Sequence, residues 1–146
     1  MSAPSPDAEL RRAAAALELA HGQMEAIARQ AETLQSAYED VTRARETLQR
    51  TGVAGAGSEF LLPIGADSFV YGALKDTEKV IVGIGSDVAI EVGMSAALDR
   101  LAARAKVIED AERGLAERMG QLEQQADAQS RRVQELYEKA QGAPKG

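Results

Sequence analysis

The chain has 146 residues, of which 45% are hydrophobic but only 3% aromatic, and its formal net charge is −6. Much of the hydrophobic fraction is alanine and tryptophan is absent, so large side chains for a rounded core are scarce and we expect an elongated fold. The acidic balance argues against nucleic acid or an anionic membrane as the main partner, and the lack of cysteine excludes disulfides and thiolate metal sites.

A heptad repeat occupies the N-terminal part of the chain. The residues reached from Leu10 by alternate steps of three and four, as far as Leu48, are all apolar except Arg45. This spacing predicts a coiled-coil helix over residues 5–51. Ser5 is the expected N-cap of this helix, and Gly52 is its expected stop.

β-branched and aromatic residues are concentrated in the central segment, residues 59–92. Apolar runs alternate there with the turn-like Gly65-Ala66-Asp67 and Gly85-Ser86-Asp87, which predicts two β-hairpins, and Pro63 indicates that the first strand is an edge strand or bulged. Such hairpins carry more apolar surface than this chain can cover, so we expect them to assemble with other chains. The residues expected to contact those chains are Phe60, Leu62, Ile64, Phe69, Tyr71, Val80, Ile81, Val82, Ile84, Val88 and Ile90.

A second heptad repeat predicts a helix over residues 95–141, with Glu112 and Gln129 as the polar exceptions. Ser95 is the expected N-cap, and Pro144 is expected to follow the end of the helix. Two helices of similar length around a compact middle fold back most simply as one antiparallel coiled coil. Parallel pairing of two chains along each helix is the alternative.

Apolar residues also occupy the expected free ends of both helices. Because helix ends fray, side chains there are exposed intermittently, and several such ends around one space would form a weak, multivalent surface for unfolded apolar chains. The alternative is that these side chains only close the coiled coil. The candidate client-binding residues are Leu10, Ala13, Leu17, Val133, Leu136 and Tyr137.

No group of residues predicts catalysis or cofactor binding. Val82-Gly83-Ile84-Gly85 lacks the third glycine and the following helix of a dinucleotide-binding turn, and His21, the only histidine, is most simply a solvent-facing residue. We therefore expect no enzyme, no metal and no cofactor. With no signal-like start and no apolar run of membrane length, we expect a cytoplasmic protein.

The central segment resembles the double-hairpin signature of archaeal alpha-type subunits of the prefoldin family. The most specific parts of this resemblance are Leu62-Pro63-Ile64-Gly65, Ser68-Phe69-Val70-Tyr71-Gly72 and Lys79-Val80-Ile81-Val82-Gly83. The heptad repeats on both sides are similar to the two arms of that family. The resemblance thus covers nearly the whole chain, and it implies that residues 1–146 form one prefoldin-like domain.

The resemblance implies a mostly α fold, in which a long antiparallel coiled-coil hairpin carries two central β-hairpins that assemble into an intersubunit β-barrel platform. It implies a heterohexamer of two alpha and four beta subunits, which holds unfolded polypeptides at its distal tips without ATP and transfers them to a group II chaperonin. The expected partners are therefore a prefoldin beta subunit, non-native polypeptides and that chaperonin. A structural filament or spacer subunit that binds no client is the alternative.

Overall fold

In a computed structural model, which describes residues 2–142, the chain forms two long helices around two pairs of strands. The elements in chain order are α1 (Pro6–Ala54), β1 (Glu59–Gly65), β2 (Ser68–Ala73), β3 (Lys79–Gly85), β4 (Val88–Gly93) and α2 (Met94–Gly142). The mostly helical fold with two central β-hairpins is as predicted. The expected stop at Pro144 lies outside the described residues.

The described chain divides into two compact units. The first, here called the helical unit, contains the residues up to Gln35 and those from Asp110 onward. The second, here called the hairpin unit, is Ser36–Glu109, and it contains both strand pairs with the adjoining parts of α1 and α2. Each unit therefore contains a segment of both helices.

Within each unit the helices pair in the antiparallel direction. In the helical unit, Arg132 Nη2 lies 2.8 Å from Glu9 Oε2, so the start of α1 contacts the end of α2. In the hairpin unit, Tyr38 Oη donates a hydrogen bond to Glu109 Oε1 at 3.0 Å, which joins a late part of α1 to an early part of α2. The helices of one chain thus pair with each other, as predicted.

The heptad positions of both helices are withdrawn from solvent. All those between Leu10 and Leu48 in α1 are buried or half-buried, and in α2 only Ala140 is exposed. The buried members are mostly alanine or leucine, and Leu122 is 0% exposed. They are Ala13, Ala20, Ile27, Val41, Leu101, Ala105, Ile108, Leu122, Ala126 and Leu136. Because alanine contributes little area, the few buried leucines provide much of the packing energy.

Helix α1 begins as predicted but ends later. Ser5 Oγ accepts a hydrogen bond from Ala8 N at 3.2 Å, which is the expected cap. The helix continues through Gly52, however, and stops before Gly55, which has a φ of 81° and donates its N–H to the Thr51 carbonyl at 3.0 Å. The left-handed conformation at the end of a helix favours glycine, so Gly55 and not Gly52 is the C-terminal cap.

The predicted N-cap of α2 at Ser95 is wrong. Strand β4 ends at Gly93, and α2 starts at Met94 with no residue between them. Met94 N donates to the Glu78 carbonyl at 2.9 Å, so the first N–H of the helix is satisfied by the residue that precedes β3. No side-chain cap is needed for that donor, and Ser95 lies inside the first turn of the helix.

The two hairpins are built alike. The first pairs Leu61 with Tyr71 and the second pairs Ile81 with Glu91, and in each the register shifts by one residue just before the turn. In the first hairpin the shift follows Pro63, which has no N–H to donate to a ladder. The predicted edge or bulge at this proline is confirmed.

Both turns use two non-glycine residues with positive φ, Ala66 (48°) and Asp67 (53°) in the first and Ser86 and Asp87 in the second. An alanine in this region costs about 1 kcal/mol, which glycine avoids. We therefore expect Ala66→Gly to stabilise the purified chain by about 0.5–1 kcal/mol in denaturant titrations. Ala73→Gly, the same change at the last residue of β2, where the strand is paired with Glu59, should destabilise it. A loss of stability in Ala66→Gly would contradict this account of the turn.

Candidate functional site

The first hairpin, β1 with β2, presents apolar side chains on both of its faces. Leu62 pairs with Val70 on one face, and Leu61 pairs with Tyr71 on the other. All four side chains are exposed, from 42% at Val70 to 84% at Tyr71. The described residues therefore leave both faces of this hairpin open, which is typical of a surface that another protein covers.

A close contact orders the aromatic ring on one of these faces. Phe60 lies opposite Gly72, and its ring crosses the glycine so closely that a Cβ on Gly72 would lie 2.7 Å from Phe60 Cζ. Phe60 is two residues from Leu62 and therefore lies on the same face of the strand. The glycine thus holds this ring in place beside Leu62, within the face that we expect another chain to cover.

One face of the second hairpin, β3 with β4, is already packed against its own helices. Val82 is only 6% exposed, and Arg104 Nη2 donates to the Gly83 carbonyl at 2.6 Å. An open groove of about 480 Å³ remains beside these residues, with Leu48 of α1 and Leu101 of α2 in its lining. The Arg104 hydrogen bond joins the second hairpin to α2 and helps to set its orientation.

Most of the predicted assembly residues are exposed in the single chain. The exposed ones are Phe60, Leu62, Ile64, Phe69, Tyr71, Ile81, Ile84 and Val88, the half-buried ones are Val80 and Ile90, and the buried one is Val82. Val82 is therefore not a free surface residue, because its own chain already covers it. The predicted set omitted Leu61 and Val70, although it included their cross-strand partners Tyr71 and Leu62.

The predicted client-binding residues differ in exposure at the end of the helical unit. Ala13 and Leu136 are buried, Leu10, Leu17 and Val133 are half-buried, and Tyr137 is exposed. The ion pair of Glu9 with Arg132 closes the two helices over these side chains. In the closed state Tyr137 is thus the most accessible of the set, at 55% exposure, while Leu136 is 3% exposed.

Other features at this end are small or were not predicted. A groove of about 480 Å³ is lined by the N-terminal turn of α1 together with Leu136, Lys139 and Ala140 of α2. Leu19 is 65% exposed on the outside of α1. It lies off the heptad positions, and nothing in the sequence distinguishes it from other surface residues of the helix.

Within the described residues 2–142, no group of three or more histidine, cysteine, aspartate or glutamate side chains is arranged to hold a metal ion. Over the same residues, neither helix contains an apolar stretch long enough to span a membrane.

Comparison with known proteins gives a consistent result. The family model for the prefoldin subunit matches residues 20–139. Prefoldin subunit alpha of Pyrococcus horikoshii is 30% identical over 132 residues, which cover 90% of this chain and 89% of that protein. Prefoldin subunit alpha of Methanospirillum hungatei is 26% identical over 146 residues, covering 100% of this chain and 97% of that one.

The fold is also found among solved structures. A cryo-EM structure of filamentous PFD from Methanocaldococcus jannaschii matches with a TM-score of 0.69 and 19% sequence identity, over 77% of this chain and 93% of that chain. At this identity the match supports the fold. It agrees with the arrangement of two long helices around two strand pairs described above.

Proposed function

Because the chain belongs to the prefoldin family as an alpha-type subunit, we propose that it acts in the cytoplasm as an ATP-independent chaperone subunit, a holdase. The observation that supports this most directly is the first hairpin, whose apolar residues Leu62 and Tyr71 are exposed on opposite faces. A chain that leaves such strands uncovered is suited to assembly with other chains, and assembly places several helical arms on one particle.

The proposed assembly is a hexamer of two alpha and four beta subunits, in which the strands of several chains form a shared β-barrel platform. The edges of both two-stranded sheets carry unpaired backbone groups that further strands can bind. The helices, by contrast, satisfy their own backbone hydrogen bonds and keep a polar exterior. Strand pairing between subunits would thus assemble the particle and leave the helices to project from it.

Client capture is proposed at the ends of α1 and α2. Tyr137 is accessible in the closed state, whereas Leu136 requires the helix ends to separate before it can contact an unfolded chain. Helix ends open with small free energies, so separation of the last turns is feasible without ATP. Each contact would be weak, and several arms acting on one client would give useful affinity.

The capture site can be tested with the double variant Leu10→Ser and Leu136→Ser. Loss of these two apolar side chains should reduce suppression of the aggregation of a denatured enzyme by at least about tenfold, since such anchors carry most of the energy of an interface. The assay uses the assembled particle without ATP. A matched double variant, Leu34→Ser with Leu115→Ser, removes two half-buried leucines away from the helix ends and should stay within about twofold of the original.

If the Leu10 and Leu136 variant protects the denatured enzyme as well as the original particle does, the helix ends are not the capture site.

Release of the client to a group II chaperonin is the proposed next step. It is tested by the recovery of enzyme activity after the chaperonin and ATP are added to a preformed client complex. No recovery above that of the chaperonin alone would contradict transfer.

A structural filament subunit is the second candidate. It is favoured by the fold shared with the filamentous PFD of Methanocaldococcus jannaschii. The native mass of the chain alone and after mixing with a beta-type subunit distinguishes the two. A closed particle that contains two copies of this chain supports the chaperone subunit, whereas open-ended polymers of the chain alone support the filament.

A further inference from the structure

An ion pair joins the two helices next to the buried side chains at the end of the helical unit. Arg132 Nη2 of α2 lies 2.8 Å from Glu9 Oε2 of α1, so the contact is a charge-assisted hydrogen bond. Residues four apart lie on the same side of a helix, so Glu9 lies beside the buried Ala13 in α1. For the same reason Arg132 lies beside the buried Leu136 in α2. The ion pair therefore lies along the edge of the apolar contact between the helix ends.

The apolar contact behind this ion pair is small. Ala13 contributes little area, and Leu10 and Val133 are only half-buried. Leu136, at 3% exposure, is the large side chain that is withdrawn from solvent here. Helix ends with so little apolar contact separate easily. A single ion pair can therefore change the fraction of open helix ends appreciably.

Both charges keep a stabilising neighbour when the helix ends separate. Arg132 Nη1 lies 3.6 Å from Glu135 Oε2 of its own helix. Glu9 lies in the first turn of α1, where the helix dipole favours a negative charge. Neither side chain is buried, with 45% exposure at Arg132 and 34% at Glu9. Opening thus leaves no charge both buried and unpaired, so this ion pair can break and re-form readily.

We propose that the Glu9–Arg132 ion pair is a clasp that controls access to Leu136, and thereby the affinity of the helix ends for apolar segments of unfolded chains. The inference rests on the proposed capture of clients at these ends. A client that binds only the open state has an apparent affinity proportional to the open fraction. A weaker clasp therefore means stronger client binding, and higher ionic strength, which screens the two charges, should weaken the clasp.

Hydrogen exchange in the last turns of α2, followed by mass spectrometry on the purified full chain, measures this opening. Partly exposed ion pairs change an equilibrium by about two- to fivefold, so Glu9→Gln should speed exchange around Leu136 by that factor. Asp7→Asn is the matched control, because it removes a negative charge from the same turn of α1. Within the described residues no ion pair joins Asp7 to α2, so the control should leave exchange around Leu136 nearly unchanged.

A second variant separates the clasp from a general weakening of the helix end. In a chain that already carries Arg132→Gln, the added Glu9→Gln should no longer speed exchange, because its partner charge is gone. Raising the salt concentration from about 0.05 M to about 1 M should likewise speed exchange in the original chain more than in the Arg132→Gln chain. If Glu9→Gln has no effect on exchange, or has the same effect with and without Arg132, the inference is wrong.

The aggregation assay distinguishes the clasp from the capture proposal. In low salt, assembled particles with Glu9→Gln should need a concentration lower by at least about twofold for half-maximal protection of a denatured enzyme. Faster exchange without stronger protection would leave the clasp in place and contradict capture at the helix ends. Stronger protection without faster exchange would instead contradict the clasp.

Discussion

Replacing both Leu62 and Val70 with aspartate is expected to abolish assembly with a beta-type subunit. These residues pair across β1 and β2 on the face that also carries Phe60, and both are exposed in the single chain. Aspartate is therefore tolerated in the isolated chain. In an assembled platform the same positions become buried, where each unpaired charge costs several kcal/mol. Together the two charges should weaken assembly by at least about a thousandfold.

Native mass spectrometry of the mixture measures this effect, and far-ultraviolet circular dichroism checks the helices. Leu19→Asp is the control, because Leu19 is a similarly exposed leucine outside both hairpins. The control should assemble normally. A hexamer of normal mass in the Leu62 and Val70 variant would show that this face remains in solvent, and it would remove the structural basis for a strand platform.

Leu122→Ala is expected to lower the free energy of unfolding by about 3 kcal/mol. Leu122 is 0% exposed, and many other buried heptad positions in the helical unit are alanine, for example Ala20 and Ala126. Such a seam has few large side chains that can move into the space left by the leucine, so the cavity should persist and the cost should be near the middle of the usual range. Denaturant titration followed by helical circular dichroism measures the loss.

The matched control is Leu19→Ala, the same substitution in the same unit at an exposed position. It should change the free energy of unfolding by no more than about 0.5 kcal/mol. A loss of less than about 1 kcal/mol in Leu122→Ala would mean that the helices repack around the smaller side chain. Stability would then depend little on the seam between the helices.

The heptad pattern was sufficient to predict the helices but not their ends. The alternate steps of three and four residues located the buried side of both helices, including the half-buried Arg45. The end of α1 was misplaced because Gly52 and Gly55 are equally plausible stops in sequence, and only the backbone conformation at Gly55 distinguishes them. The start of α2 was misplaced because its first N–H is satisfied by the Glu78 carbonyl, across the open end of the second hairpin, and this contact depends on the strand register.

The candidate site was predicted only in part, for a related reason. Alternation along a strand tells which side chains share a face, but not which face the chain itself covers. Val82 and Tyr71 were both predicted to contact another chain, yet Val82 is buried against its own helices and Tyr71 is open. At the helix ends, the repeat grouped Leu136 with Tyr137, although the pairing of the helices buries the first and exposes the second.

The direct junction between β4 and α2 has a mechanical consequence. Because no residue separates Gly93 from Met94, a torque applied to the second hairpin passes into the first turns of α2 without a compliant joint. The first hairpin is attached differently, through a segment that contains Gly55 and Gly57, both with positive φ. That segment is itself held by hydrogen bonds from Gly57 N to the Leu74 carbonyl and from Ser58 Oγ to the Ala54 carbonyl, so the first hairpin is fastened to α1 through a bonded loop and the second is fastened to α2 directly.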